Sequence, residues 1–173
     1  LYAWESRSHD PVWSFPTDGP IKGPVATYDG GAIFGSWDHS IYRVALSDGS
    51  LDWSYEADDL VMSGPAIDPE RGVAYVGSHD TRLYALDAAT GEERWRFDTD
   101  GWLIGCATTT GDRILVGSYD GNVYALDASG EELWRVHNQG WVTSAPLPHD
   151  GAIYYTERAT EERSGGAYRL TAP

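Results

Sequence analysis

The chain has 173 residues, 27 Asp and Glu against 12 Lys and Arg, a formal net charge of −15, 41% hydrophobic residues and 23% charged residues. Its size permits one ordinary domain with a sizeable core, and 8 Trp, 11 Tyr and 3 Phe exclude an acidic disordered tail. A surface this negative repels nucleic-acid phosphates and anionic lipid, so neither is an expected partner, and no apolar run approaches the roughly 20 residues of a membrane span.

Lys22 stands alone beside eleven arginines, and Asp outnumbers Glu 17 to 10. This profile resembles that of salt-adapted archaeal proteins, in which dense carboxylates keep the chain dissolved in strong salt. The single cysteine, Cys106, has no internal partner for a disulfide. No secretory leader is visible, and a chain starting at Leu1 is expected to have lost a leader or to be part of something longer.

Along the chain, Leu1-Tyr2-Ala3 matches Leu83-Tyr84-Ala85, and the ten residues from Ala3 to Trp13 equal those from Ala85 to Trp95. Trp13, Trp53, Trp95 and Trp134 then recur at intervals of 40, 42 and 39 residues, a beat that marks repeated supersecondary units. Gly35-Ser-Trp-Asp38, Gly77-Ser-His-Asp80 and Gly117-Ser-Tyr-Asp120 keep the same register, followed by Tyr42, Tyr84 and Tyr124.

Each unit reads as four strands. An inner strand lies around Gly23–Thr27, Gly64–Ile67, Gly105–Thr108 and Ser144–Leu147. A second, continuously apolar strand (Ala32–Gly35, Val73–Gly77, Ile114–Gly117) is expected to be buried on both faces. A tight turn leads into a third strand (Ile41–Val44, Leu83–Leu86, Val123–Leu126), which is expected to alternate. A turn on Asp48-Gly49, Thr90-Gly91 or Ser129-Gly130 leads to the strand bearing the periodic Trp.

Four short antiparallel strands per roughly 40 residues make the blade of a β-propeller, an all-β fold. The expected division is a blade part at 1–17, blades at about 18–53, 58–95 and 100–134, and a partial blade at 140–170. Because propellers close with roughly 4–8 blades, the chain is expected to belong to a longer propeller or to be completed by a second copy; a free-standing four-bladed ring is the less favoured closure.

The run Ala85-x-Asp87-x-x-x-Gly91-x-x-x-Trp95 resembles the tryptophan-docking motif of the pyrroloquinoline-quinone (PQQ) repeat family. Ala125, Asp127, Gly130 and Trp134 match after one deletion; Ala45, Gly49 and Trp53 match more loosely, with Ser47 read at the Asp position. The resemblance implies blade-to-blade docking by Trp13, Trp53, Trp95 and Trp134. It also implies two kinds of relative: quinone-dependent dehydrogenases holding PQQ and calcium, and scaffolds such as the bacterial lipoprotein that helps assemble outer-membrane barrels.

Strand alternation gathers Trp37, His39, His79, Tyr119, Trp102 and Trp141 on one rim with Asp38, Asp80, Asp120, Asp58, Asp59 and Asp100. Aromatic rings with a polar edge are common binding anchors, although Trp102 and Trp141 are equally suited to plugging the central channel. The Asp of the second turn (Asp87, Asp127) is expected to cap backbone amides. No hydrolase elbow, phosphate loop or metal-spaced histidine pair occurs, and Asp98-Thr99-Asp100-Gly101 starts like a calcium loop but has Trp102 where an oxygen ligand belongs. The sequence thus favours a non-enzymatic scaffold without a cofactor, binding a protein or small ligand at the rim, in an extracellular or cell-surface setting. A quinoprotein dehydrogenase fragment and a module that oligomerises to close a ring are the alternatives.

Overall fold

The computed structural model describes residues 1–7, 9–159 and 164–171. Among these residues there are eighteen strands and no helix. A short hairpin, β1 (Tyr2–Ala3) and β2 (Trp13–Ser14), comes first. Three four-stranded meanders follow: β3 (Ala26–Tyr28), β4 (Gly31–Gly35), β5 (Ser40–Ala45), β6 (Leu51–Glu56); β7 (Ala66–Asp68), β8 (Val73–Gly77), β9 (Arg82–Asp87), β10 (Glu93–Asp98); and β11 (Thr108–Thr110), β12 (Arg113–Gly117), β13 (Asn122–Asp127), β14 (Glu132–His137). The last sheet comprises β15 (Trp141–Val142), β16 (Leu147–His149), β17 (Ala152–Arg158) and β18 (Gly166–Thr171), with β15 and β16 both paired to β17 and β18 on its other edge. All printed pairings are antiparallel.

The inner strands begin a few residues later than the sequence places them, and the outer strands continue three residues beyond each Trp, to Glu56, Asp98 and His137. Burial corrects one expectation. The second strands β4 and β8 are buried throughout, but the third strands β9 and β13 do not alternate: β9 is buried at every position except its ends and β13 at every position except its last, while β5 alternates over its first four residues only. Alternation appears instead in β10 and β14. Both faces of the second and third strands lie against neighbouring blades, whereas the fourth strand turns one row of side chains to solvent. The core is therefore a series of interblade layers, such as Ile33, Ile41 and Val61 against Val76, Tyr84 and Leu86.

Each blade is locked to the next by a tryptophan. The indole Nε1 of Trp13 donates to the Leu46 carbonyl (2.9 Å), that of Trp53 to Ala88 (3.3 Å) and that of Trp95 to Ala128 (3.0 Å). The rings cover Gly49, Gly91 and Gly130, whose φ values of +75°, +76° and +89° suit glycine, and a Cβ on any of them would come within 2.7 Å of the indole. Conformation and space both demand glycine there.

A β-bulge aims each ring. Trp53, Trp95 and Trp134 pair with Arg43, Ala85 and Ala125, and the register skips Asp52, Arg94 and Leu133 immediately before them. The extra residue turns the indole out of its own sheet toward the next blade.

Pairing also corrects the motif alignment in the first full blade. Gly31 opposes Ala45 as Val73 opposes Asp87, so Arg43 stands at the Ala85 position and Ala45, not Ser47, stands at the Asp87 position. The missing turn carboxylate is supplied by Asp48, which accepts from the Ser50 amide (3.0 Å). Arg43 is accommodated by bonds to the Ala89 and Asp29 carbonyls (3.1 and 2.8 Å).

Trp134 differs from the other three. Among the described residues its Nε1 is buried without a hydrogen-bond partner, beside a cavity of about 290 Å³ lined in part by Leu115, Pro148 and Ile153. The β17–β18 register makes Thr171 the counterpart of Asp127, so the matching acceptor position is residue 172, outside the described residues.

Replacing Trp95 by Ala is expected to cost about 3–5 kcal/mol in urea unfolding, as for loss of a large packed aromatic ring. A loss below about 1 kcal/mol would contradict the docking role. Gly130→Ala, which drives a methyl into the same indole at positive φ, is expected to cost about 1–3 kcal/mol by the same measurement.

Candidate functional rim

The Gly-Ser-x-Asp hairpins and the straps between blades share one rim. The glycine leaves room for the strap: a Cβ on Gly35, Gly77 or Gly117 would collide with Val61, Leu103 or Val142. The serine, fully buried, accepts from the aspartate amide and donates to a strap carbonyl, as Ser118 does to Gly101 (3.2 Å). The aspartate then joins three pieces of chain. Asp120 accepts from the Asn122 amide (2.8 Å), the Asp100 amide of the strap (3.1 Å) and the Tyr124 hydroxyl (2.7 Å), and Asp80 and Asp38 repeat the pattern with Tyr84 and Tyr42. Burial, reinforced by Asp80, pushes the Tyr84 hydroxyl up to about 12. Asp38, Asp80 and Asp120 therefore spend their acceptor capacity inside the fold. The recurring tyrosine as their partner was not recognised in the sequence, although its constant offset of four residues is visible there.

Each strap is pinned on both sides. Tyr119 N donates to Trp102 O (3.0 Å) while Leu103 N donates to Ser78 O (3.0 Å), so one strap joins the hairpins of adjacent blades. This leaves the x position of each hairpin and the strap residue side by side. His79 stacks on Trp102 (centroids 4.8 Å apart, planes 5° apart), Trp102 tilts against Tyr119 (5.6 Å, 43°), and Tyr119 stacks on Trp141 (5.0 Å, 17°). Trp102 and Trp141 remain 48% and 39% exposed. The four rings form a ladder across three blades, with edges turned outward, in a geometry favourable for aromatic contacts.

The other residues expected on the rim are placed differently. Trp37 holds the hairpin position equivalent to His79 and Tyr119 but lies outside the ladder, where Lys22 Nζ sits 5.4 Å from its ring centre. His39 is exposed at the left-handed turn position (φ +72°) that Thr81 and Gly121 occupy in the next blades, and its ring does not join the stack. Asp58 pairs with Arg82, which also holds Asp98 at 3.1 Å, while Asp59 accepts from the Leu60 amide (2.7 Å). Asp100 is exposed beside a notch of about 350 Å³ formed with Thr81, Gly101, Trp102, Tyr119 and Trp141. In the last blade Arg158 takes the x position, unnoticed in the sequence, and its Nη1 donates to the Tyr119 hydroxyl (3.2 Å).

The Asp98–Gly101 segment is not arranged as a cation loop. Thr99 donates to the Thr81 and Gly101 carbonyls (2.7 and 2.8 Å) and Asp98 faces Arg82. No group of three or more His, Cys, Asp and Glu among the described residues is placed to hold a metal ion.

Burial lowers the pKa of His79, partly offset by Asp59 and Asp80, and among the described residues its Nε2 is buried without a hydrogen-bond partner. The neutral ring is thus the folded-state form. Stability from this site is present above the unfolded value of about 6.5 and falls as the pH drops below it, because the unfolded chain then binds the proton more readily. Between pH 7.5 and 5.5, wild type should lose more stability than His79→Tyr, as measured by the difference between their urea midpoints; equal losses would contradict the assignment.

Comparison with known proteins places these features in context. A repeat-family model described as outer membrane protein assembly factor BamB matches residues 1–97, 59–140 and 79–171. The chain is 39% identical over 84 residues to BamB of Nitrosomonas eutropha, covering 49% of this chain and 20% of that protein. It is 29% identical over 154 residues to the quinohemoprotein alcohol dehydrogenase ADH-IIG of Pseudomonas putida, covering 73% of this chain and 21% of that one. The chain thus spans about a fifth of the length of these bacterial relatives. The crystal structure of Moraxella catarrhalis BamB superposes with a TM-score of 0.75 at 19% identity, covering 89% of this chain and 48% of that one. With propeller blades, tryptophan docks and a family match running through the repeats, this chain belongs to the PQQ-like repeat family that includes the outer membrane protein assembly factor BamB.

Proposed function

We propose that this chain is a non-enzymatic propeller scaffold that docks a protein partner on its aromatic rim. The observation that carries this reading is the ladder of His79, Trp102, Tyr119 and Trp141, two of whose rings, Trp102 and Trp141, stay 48% and 39% exposed. Large rigid rings on a pinned backbone lose little conformational entropy on binding, which favours them as anchors. The likeness to a protein named as an assembly factor supports the same reading. The acidic composition fits a salt-rich, extracellular or cell-surface setting.

The quinoprotein reading meets an electrostatic mismatch. PQQ is a tricarboxylate, and on this rim the guanidinium of Arg82 is already engaged by Asp58 and Asp98, while Asp100 adds a carboxylate at the notch. The residues present do not fit an anionic quinone, and among the described residues no group of three or more His, Cys, Asp and Glu is placed to hold its calcium.

Assembly into a larger ring is a second reading, favoured by one observation. The outer face of the last blade leaves Leu147 60% and Tyr154 38% exposed beside a cleft of about 440 Å³, and apolar surface of this kind is covered in a closed propeller. Light scattering should then show association that Leu147→Asp weakens; an unchanged monomeric mass in both proteins would remove this reading.

The docking reading is tested by selecting a random peptide library on wild type and counter-selecting on Trp102→Ala/Trp141→Ala. Recovery of ligands that bind wild type at least about ten-fold more tightly is expected for anchors of this size. Recovery of none that depends on the two rings would refute it.

A further inference from the structure

We propose that the notch between Trp102, Tyr119 and Trp141 takes the cationic side chain of a basic peptide segment, an inference that rests on the protein-docking reading above. Three observations converge on a cation. The notch, about 350 Å³, is walled by three aromatic rings and one exposed carboxylate, Asp100. A positive group over an aromatic face is attracted by the ring quadrupole, and a neighbouring carboxylate adds a direct charge partner. The 43° tilt between Trp102 and Tyr119 leaves these rings splayed where Tyr119 and Trp141 lie nearly parallel, so a flat guanidinium can approach ring surface there.

The second observation comes from the repeat. On the first full blade, Lys22 of the strap sits over Trp37, the residue equivalent to Tyr119. The counterpart of Lys22 in the strap beside Tyr119 is Ile104, so that strap supplies no cation. Arg158 reaches the edge of this rung through the Tyr119 hydroxyl, which is not a ring-face contact. The chain thus contains its own example of a cation over a rim aromatic ring; Tyr119 is flanked by Trp102 and Trp141, so the ring surface open to a partner's cation is that of these two indoles, 48% and 39% exposed.

The third is the local charge balance. Asp58 and Asp98 share the single guanidinium of Arg82, and Asp100 adds a further carboxylate. Arg158 is the only other cation placed at this part of the rim among the described contacts. An excess of negative charge around aromatic walls speeds the approach of basic segments and disfavours acidic ones. Arginine suits the notch better than lysine because its plane stacks on rings while its N–H groups bond the carboxylate.

The test titrates the intact chain with two capped peptides of alternating glycine and arginine or glycine and citrulline, which differ in charge but hardly in shape, following tryptophan emission at low and at moderate salt. The arginine peptide is expected to bind about ten-fold more tightly, on the order of a desolvated cation–π contact with its carboxylate partner. Trp102→Ala should abolish that preference, Trp102→Phe should retain most of it, and Asp100→Asn should lower it about three-fold. Because Trp102→Phe keeps a ring in the stack and Asp100 is exposed, these two variants remain informative if Trp102→Ala unfolds. Equal binding of both peptides, no binding of the arginine peptide, or a preference that survives in a folded Trp102→Ala would each overturn the proposal. Library ligands that depend on Trp102 and Trp141 but carry no basic enrichment, together with equal peptide affinities, would overturn the cation inference alone and leave the docking reading in place.

Discussion

The fold depends on one constraint: a blade whose second and third strands are apolar on both faces cannot stand alone in water. Burying Phe34, Tyr75, Leu83 and Val116 requires a neighbouring sheet on each side, so the unit of stability is the interface between blades. Each interface is fixed by an indole on the next blade's glycine turn, which supplies apolar area and one hydrogen bond at once. The bulge before each Trp is the backbone device that makes this contact possible. Trp134 is preceded by the same bulge, and among the described residues its indole N–H has no acceptor.

The opposite end of the same hairpins forms the rim. The serine and aspartate of Gly-Ser-x-Asp are consumed in binding the strap, the turn and the tyrosine, which makes the rim backbone stiff without involving the x side chain. That position is free to carry Trp37, His79, Tyr119 or Arg158 without disturbing the blade. A scaffold that separates support from display in this way can present a rigid recognition surface at small entropic cost. The carboxylates divide likewise: Asp38, Asp80 and Asp120 hold the fold together, while Asp100 faces the notch.

The four-stranded antiparallel unit and its periodic tryptophans were legible in the sequence because they recur. A repeat spaced 40, 42 and 39 residues apart places one Trp, one turn glycine and one hairpin in every unit, and local turn chemistry then dictates the meander. In the sequence the rim was readable only as candidates, since strand alternation puts straps and hairpins on one side and does not exclude Trp37 or His39, which lie outside the stack. The rim's internal order was not legible. The stacking of His79 on Trp102 and of Tyr119 on Trp141 joins residues from different blades, and no spacing within one unit encodes a contact between units.

The tertiary structure alone decided three further matters. It buried the third strands β9 and β13 where alternation was expected, because neighbouring blades cover both of their faces, and left one face of the fourth strands β10 and β14 to solvent. It realigned the weakest motif, since hydrogen-bond register assigns Arg43 and Ala45 to positions that residue similarity had misplaced by two. It also separated supporting from displayed residues on the rim: an aspartate reads the same in sequence whether it binds three groups of its own chain or faces solvent, and only the position of the strap above it settles which. What the sequence determined by itself is the repeating blade and its docks, because these rest on local pattern; who touches whom across the rim depends on packing between blades.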